Sequence, residues 1–439
     1  MNEVIAAVEP TSTRRRQIVT ASAATLAAQL IRVVGGLLVV PILLRRLGVE
    51  NYGFIALIVS LTTIFVFLES ILTPVLRNEL VKARATGSTE RVDEVMTVGL
   101  TAAVGLLLIS FPLLMVLSAL DWGAVLHVPG HLPTSTAVLA GALVGLLAAA
   151  TAFADCLYAA WNDLARLRLM EGAATACGLL AVALLTQAGT SPVWLIVLLT
   201  IPVPAVRVLA WGCFLRGHGT HPRMSLPTTL NFFWSHRAAS AAFSGTQALA
   251  CAASLFPLIL LNSYQGLEEV SLYTVAQRLV GAPANLALAV FPVFWPQLAR
   301  ARELRDRDWL IRTLKYGLWA SALGTAAAAA LAYVFGPWLV TLWTGNTLVA
   351  TGLFLALFAA LAGAQVMQGW LSTVLNAFGE FQRQFVCYAL FTIGSVVCGA
   401  LGLKAFGTTG LVLGLTFAAA LFGIAPMIWL ARRCIDRSI

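Results

Sequence analysis

The sequence is short of charge. Asp, Glu, Lys and Arg make up 11% of its 439 residues, against about 25% in a soluble domain. No stretch is long and polar enough to fold in water as a domain of its own. Lysine is nearly missing, with 3 Lys beside 25 Arg. The seven cysteines make no CxxC pair and no metal-ligand spacing, so neither a zinc site nor a disulfide framework is implied. Cys156, Cys177, Cys251, Cys387 and Cys398 fall within apolar runs and read as small core residues. The longest outer loop, 121–133, offers only Asp121, His127 and His131 as reactive groups. The two histidines are four apart, but Pro129 stands between them. The expectation is no catalytic site, no metal and no cofactor.

Hydrocarbon is what the chain has instead. Hydrophobic residues reach 59% and the mean hydropathy is +0.88. Apolar runs of roughly 20 residues, enough to cross a bilayer, recur throughout. The expected fold class is therefore an all-α polytopic membrane protein. Twelve spans are expected at 18–44, 52–75, 94–120, 134–160, 169–188, 192–214, 238–261, 271–297, 310–335, 348–377, 385–404 and 408–431. The start resembles a signal peptide, with Arg14, Arg15 and Arg16 before an apolar run. The run from Ile18 to Leu44 is too long for that, and no small-residue cleavage site follows it.

The net charge of +9 reads as topology rather than nucleic-acid binding. The N-terminal tail, the even-numbered loops and the C-terminal tail together hold 21 Lys and Arg; the odd-numbered loops hold 3, namely Arg45, Arg46 and Lys404. The positive-inside rule then puts both termini in the cytoplasm, in a multi-pass protein of the cytoplasmic (inner) membrane.

The chain also repeats itself. ASAATLAAQ at 21–29 matches ASAAFSGTQ at 239–247, and PVLRNELVKAR at 74–84 matches PVFWPQLARAR at 292–302. Both pairs share an offset of 218. A G-x-E before a tyrosine recurs too, at Gly48–Tyr52 and Gly266–Tyr273, with three extra residues in the second copy. Six spans is an even number, so both halves start on the same side. The repeat is parallel, about a pseudo-two-fold along the membrane normal, a plan that places a ligand between the halves. The expected organisation is a tail (1–17), a six-helix lobe (18–214), a cytoplasmic linker (215–237), a second six-helix lobe (238–431) and a tail (432–439).

Polar residues line up at helical spacing. Thr25, Gln29, Arg32 and Gly36 share a face of span 1; Ser240, Ser244, Gln247, Cys251 and Ser254 share one of span 7. Arg278, Asn285 and Pro292 align on span 8, and Gln365, Gln368, Ser372 and Asn376 on span 10. A polar stripe faces another helix or a wet cavity, because hydrocarbon cannot satisfy it. For Ser and Cys, plain packing is the default; for Gln and Asn, cavity lining stands beside it.

Charges inside spans are sharper signals. Arg32 lies about 20 Å from either end of its span, at 1.5 Å per residue. It either faces a cavity or pairs with Glu69 on span 2. Arg278 lies about 10 Å from the outer end of span 8 and either faces the cavity or reaches the outer interface. Arg207, near the inner end of span 6, is expected to snorkel. Glu69 and Asp155 are either ion-coupling carboxylates or ion-pair partners, and Glu171 sits near the inner interface. At the offset of 218, Arg278 falls on Ser60 and Arg32 on Ala250, so neither arginine is part of the repeated scaffold. Prolines interrupt spans 1, 2, 6, 7 and 8 (Pro41, Pro74, Pro202, Pro204, Pro257, Pro283, Pro292, Pro296) and bend their helices.

RRLGVENYGFIAL (45–57), the basic loop starting PVLRNELVKAR, the segment 266–302, LSTVLNAFGEFQRQ (371–384) and TGLVLGLTFAAALF (409–422) resemble Wzx-type polysaccharide flippases. These belong to the multidrug/oligosaccharidyl-lipid/polysaccharide exporter superfamily. The resemblance runs through most of the chain and departs at the end of span 2, where LESIL, with Glu69, replaces an L-D-L-G-like turn. It implies two six-helix lobes, alternating access and an oligosaccharide carried on a polyprenyl diphosphate from the inner to the outer leaflet, for cell-surface polysaccharide such as O-antigen. It also implies a monomer working beside a polysaccharide polymerase and glycosyltransferases. Arginine binds phosphate bidentately without losing its proton, so Arg32 and Arg278 are the candidate diphosphate contacts. Gln29, Gln247, Asn285, Gln365 and Gln368 are the candidate sugar contacts. A lipid II flippase and an ion-coupled drug or cation antiporter on the same fold stand as alternatives; the antiporter would need the carboxylates of Glu69 and Asp155.

Overall fold

The structure, a computed structural model, describes residues 11–437 apart from 66, 67, 69–72, 86, 162, 219–221, 292, 293, 295–297, 299, 300 and 303–305. Every regular element among the described residues is a helix. Nine helical stretches are long and apolar enough to cross a membrane. Two of them bend back on themselves, at Gly48 and at Gly407. With Leu267–Val290 they make the twelve spans.

Spans 1 and 2 are the two arms of Thr11–Thr62, parted at Gly48. The helix thus begins inside what reads as a tail. Span 3 is Thr89–Ser118, and span 4 is Thr134–Thr151 with Phe153–Ala160. Span 5 is Leu164–Gln187, and span 6 is Pro192–Thr200 with Pro202–His218. Span 7 is Leu226–Gln265, span 8 Leu267–Val290, span 9 Arg307–Thr344 and span 10 Gly352–Ala377. Spans 11 and 12 occupy Phe381–Ala418, a π-helical turn at Ala419–Ile424, and Ala425–Arg437. A short helix, Thr73–Ala85, follows span 2.

The repeat holds without insertion at the level of single backbone angles. Gly48 has φ 82° and ψ 170°; Gly266, 218 residues on, has φ 90° and ψ −179°. His127 and Gly345 share the left-handed cap conformation (φ 53°, ψ 42° and φ 68°, ψ 42°). Gly189 and Gly407 also pair, at φ 73° and 62°. Helix starts agree as well. Ser88 accepts the Arg91 N–H at 3.3 Å to begin span 3, and Asp306 accepts the Trp309 N–H at 3.1 Å to begin span 9. These caps satisfy donors that a helix start leaves unpaired. The tyrosine signature therefore needs correcting. The turn glycines are themselves 218 apart, so Tyr52 matches Val270 and Tyr273 matches Ile55. What recurs is a backbone turn open to glycine, not the tyrosine that follows it.

The lobes meet at the end of the bundle that carries the Gly48 and Gly266 turns. Ser271 Oγ donates to Val49 O at 2.6 Å. A Cβ on Gly53 would lie 2.1 Å from Leu267 O. Residues 53 and 271 are counterparts, as are 49 and 267, so this contact is nearly its own image under the pseudo-two-fold. Trp343 Nε1 donates to Leu37 O at 2.8 Å, Asn262 Nδ2 donates to Leu126 O, and the Arg45 guanidinium packs on Gly345. One apolar core draws on both lobes here, including Leu44, Tyr52, Leu126, Leu267, Tyr273 and Val340. At the other end, where the termini lie, the cores are separate. One belongs to spans 8–12 (Leu298, Leu314, Leu371, Met427). The other belongs to spans 3–6 and the Thr73–Ala85 helix (Leu80, Met96, Leu157, Phe214), joined by Phe232. The lobes thus share one core at the turn end, whereas at the terminus end the described residues form two cores.

Phe232 lies in the stretch read as a linker. From Leu226 that stretch is helix continuous with span 7, and the Ser225 N–H donates to Thr101 Oγ1 at 3.0 Å. Part of the linker is therefore docked on the N-terminal lobe. Pro41, Pro257 and Pro283 sit inside continuous helices. Span 6 breaks before Pro202, and the π turn of span 12 falls at the matching place. Pro292 and Pro296 lie outside the described residues.

Candidate functional site

Span 1 packs on span 5 through Ala28, Ile31 and Gly35. A Cβ on Gly172 would lie 3.3 Å from Ile31 Cδ1, and one on Gly35 would overlap Leu179. The stripe Thr25, Gln29, Arg32 and Gly36 lies about a quarter turn away at 100° per residue, so it borders the space between the lobes. Arg32 is exposed there, and Gln29 is half-buried.

Arg278 comes to the same stripe from span 8. Its Nη1 lies 3.7 Å from where a Cβ on Gly36 would be. Gly36 is one turn beyond Arg32 on the same face, a rise of about 6 Å. The half-buried Arg278 thus reaches across the lobe junction to span 1 and does not turn back to the outer interface. Neither Arg32 nor Arg278 has an ion-pair partner among the described residues. Asn285 stands two turns along the Arg278 face and is exposed. Gln247 is half-buried on the side of span 7 opposite Gly245, which packs on Phe385 of span 11.

Beside Arg32, within the N-terminal lobe, four charges form an ion-pair network. Asp155 of span 4 meets Arg207 of span 6 at 3.0 Å and Arg168 of span 5 at 3.1 Å. Glu171 of span 5 meets Arg168 at 2.6 Å and Arg207 at 2.8 Å. Each carboxylate touches both guanidiniums, and all four side chains are mostly or wholly buried. The expectation for Arg207 is overturned: it is 9% exposed and ion-paired, because two carboxylates on neighbouring spans offer more than the headgroup region does. Asp155 and Glu171 are likewise ion-pair partners, not free carboxylates in a cavity. The charges of all four act on Arg32. Glu69 lies outside the described residues.

The stripe on span 10 also needs correcting. Gln368 is 4% exposed, and a Cβ on Gly423 of span 12 would overlap its amide. Ser372 Oγ lies 3.2 Å from the Tyr388 hydroxyl of span 11. This face therefore points into the C-terminal lobe, and Gln368 does not line the interlobe space. Gln365, one turn away, is exposed. The pattern gave the shared face but not the neighbour it meets. Sequence reasoning also passed over Arg168, whose signal was its i, i+3 spacing to Glu171 inside an apolar helix.

Comparisons with known proteins bear on this architecture. No protein-family model matches the chain, and no curated protein matches it in sequence. Solved structures do match in shape. An inward-facing multidrug-resistance transporter of the MATE family, in the MOP superfamily, aligns with TM-score 0.69 and 14% identity over 95% of this chain and 98% of its own. The bent form of the Vibrio cholerae MATE transporter VcmN aligns with TM-score 0.62 and 19% identity over 98% of each chain. A MOP superfamily transporter from Pyrococcus furiosus, described as having a binding pocket of reverse polarity that suggests a different function, aligns with TM-score 0.64 and 12% identity over 96% of each. The fold is the two-lobed, twelve-helix fold of these transporters.

Proposed function

We propose that this protein is a transporter that moves an amphiphile with an anionic, diphosphate-bearing head across the membrane by alternating access, the substrate being an oligosaccharide on a polyprenyl diphosphate. The observation that carries this reading is that Arg278 of one lobe reaches the stripe of span 1 that carries Arg32 of the other, where neither guanidinium has an ion-pair partner among the described residues. Two such guanidiniums at a lobe junction suit an anion with several oxygen acceptors. A diphosphate meets that description, since guanidinium binds phosphate oxygens bidentately. Gln29 and Asn285, on the same two stripes as the arginines, carry neutral hydrogen-bonding groups, as a sugar requires. The positive-inside pattern supports a cytoplasmic terminus end, on the side of the leaflet where such a substrate is made.

The test is binding of a polyprenyl diphosphate to the purified protein. Losing one charge-assisted contact costs about 1.5–3 kcal/mol, so Arg32→Ala and Arg278→Ala should each weaken binding roughly 10- to 100-fold at unchanged melting temperature. Equal affinity in both variants would sink the reading. An antiporter of organic cations is the second reading, favoured by the fold shared with multidrug transporters. Asp155 and Glu171, each held by two arginines, count against it. Organic-cation uptake into proteoliposomes that survives both arginine substitutions would favour it.

A further inference from the structure

Span 8 has two unlike faces. Arg278, Gly281 and Asn285 point to the lobe junction. Val280, Pro283, Ala284, Ala287 and Phe291 point the opposite way, into a cavity of about 630 Å³ within the C-terminal lobe. Span 9 contributes Tyr316, Gly317, Ala320 and Gly324, and span 10 contributes Ala359, Gly363 and Trp370. The lining is hydrocarbon, aromatic ring and glycine, relieved by the hydroxyls of Thr313, Ser321, Thr325 and Tyr316. Among the described residues, no charged side chain lines it.

The cavity belongs to one lobe. Gly363 and its counterpart Gly145 are both closely covered, the first by Thr325 and the second by the Phe65 ring. The counterpart of Phe65 is Pro283, which has no ring to swing inward. Gly324 has nothing within 4 Å of its Cβ direction, whereas its counterpart Leu106 carries a full side chain. The C-terminal lobe has left out the groups that would plug the space.

From lining, size and place, we infer that this cavity holds the hydrocarbon chain of a membrane amphiphile whose anionic head lies at Arg278. At ~30 Å³ for each small group, 630 Å³ accommodates roughly twenty carbon atoms, the scale of an acyl chain or of several isoprene units. Span 1 meets spans 8 and 9 at Gly36, Leu37 and Arg45. Beyond Arg278 along span 8, Pro283 and Asn285 are both exposed. A head at Arg278 and a chain in the cavity are therefore separated by one helix edge, not by a wall of protein. The chain could be the prenyl tail of the proposed substrate or an acyl tail of bulk lipid; the shared chemistry is a long, flexible hydrocarbon. The inference rests on the proposed function only for the first source.

The experiment is photolabelling of the full-length protein in nanodiscs of phosphatidylethanolamine and phosphatidylglycerol. One arm uses a diazirine-tagged phosphatidylglycerol and the other a diazirine-tagged geranylgeranyl diphosphate, with labelled peptides mapped by mass spectrometry. Label concentrated on Val280–Phe291 and Thr313–Ala328 is expected. Gly324→Phe points a ring into open space and replaces a poor helix former by a better one, so folding should survive. Denying about two methylenes their burial should lower label there about tenfold, with the melting temperature held. Label spread evenly over the lipid-facing helices, or unchanged in Gly324→Phe, overturns the inference. Phospholipid label in the cavity that geranylgeranyl diphosphate neither reproduces nor competes away supports the chain site and rejects the prenyl substrate.

Discussion

At five positions where the N-terminal lobe carries a charge inside its helices, the C-terminal lobe carries none. Arg32, Asp155, Arg168, Glu171 and Arg207 face Ala250, Thr373, Val386, Ala389 and Ala425 across the offset of 218. The backbone does not register the difference: the turns at Gly48 and Gly266 agree within about ten degrees. The frame therefore does not need the charges. Burying four ions is costly, and well-packed apolar groups often do as well or better. In the C-terminal lobe the same scaffold holds with one threonine and three apolar residues. The N-terminal lobe instead spends that region on an ion-pair network, with Arg32 beside it. The C-terminal lobe supplies Arg278 and the empty apolar space behind it. Two copies of one frame have become a charged half and a greasy half.

The comparison breaks most visibly at the network. Arg207→Ala should destabilise the protein by about 3–5 kcal/mol, because it strands two buried carboxylates short of a partner. Converting the whole network to its counterparts (Asp155→Thr, Arg168→Val, Glu171→Ala and Arg207→Ala together) should recover most of that loss. Thermal unfolding in detergent reads both; a quadruple variant weaker than the single one would show that the charges do hold the frame.

A smaller effect is expected at the shared turns. Gly48→Ala and Gly266→Ala each force an alanine into backbone that is essentially glycine's alone, at about 1–3 kcal/mol. The two losses should be alike, since the two conformations are. Unequal shifts in denaturation midpoint would mean that the lobes differ more around these turns than their angles indicate.

The smallest effect separates His127 from Gly345. His127 holds a left-handed cap that its counterpart leaves to glycine. A left-handed non-glycine residue costs roughly 1–2 kcal/mol, so His127→Gly should be neutral or stabilising by up to that amount. A clear loss would reveal work for the imidazole, which lies in the outer loop close to the lobe contact at Leu126.

The sequence carried the twelve spans, the repeat and both arginines, because hydropathy, an offset and a charge in a greasy run are local signals. It could not carry the approach of Arg278 to the stripe of span 1 that bears Arg32, which depends on how two lobes dock. The network was hidden for a related reason. Asp155, Arg168, Glu171 and Arg207 come from three spans, and each alone reads as a charge near a helix end. Gln368 shows the limit of periodicity: a stripe fixes which residues travel together, not whether they meet water or another helix. The cavity was the least legible feature, since it depends on what is missing, a side chain at Gly324 and a ring at Pro283, and not on a residue that stands out.

The Gly53–Ser271 contact sets how firmly the turn end is shut. Ser271 Oγ also lies 3.0 Å from Leu267 O in its own helix. When the lobes part, the hydroxyl has a second acceptor already in place, and Val49 O remains a helix carbonyl. Gly53 loses only close backbone packing. That fastening is a snap rather than a weld: its packing is tight, yet neither of its own polar groups is left stranded on release. In the proposed transport cycle the cost of parting the turn end would therefore fall elsewhere, on Trp343 and Asn262, whose bonds across the lobes have to be replaced.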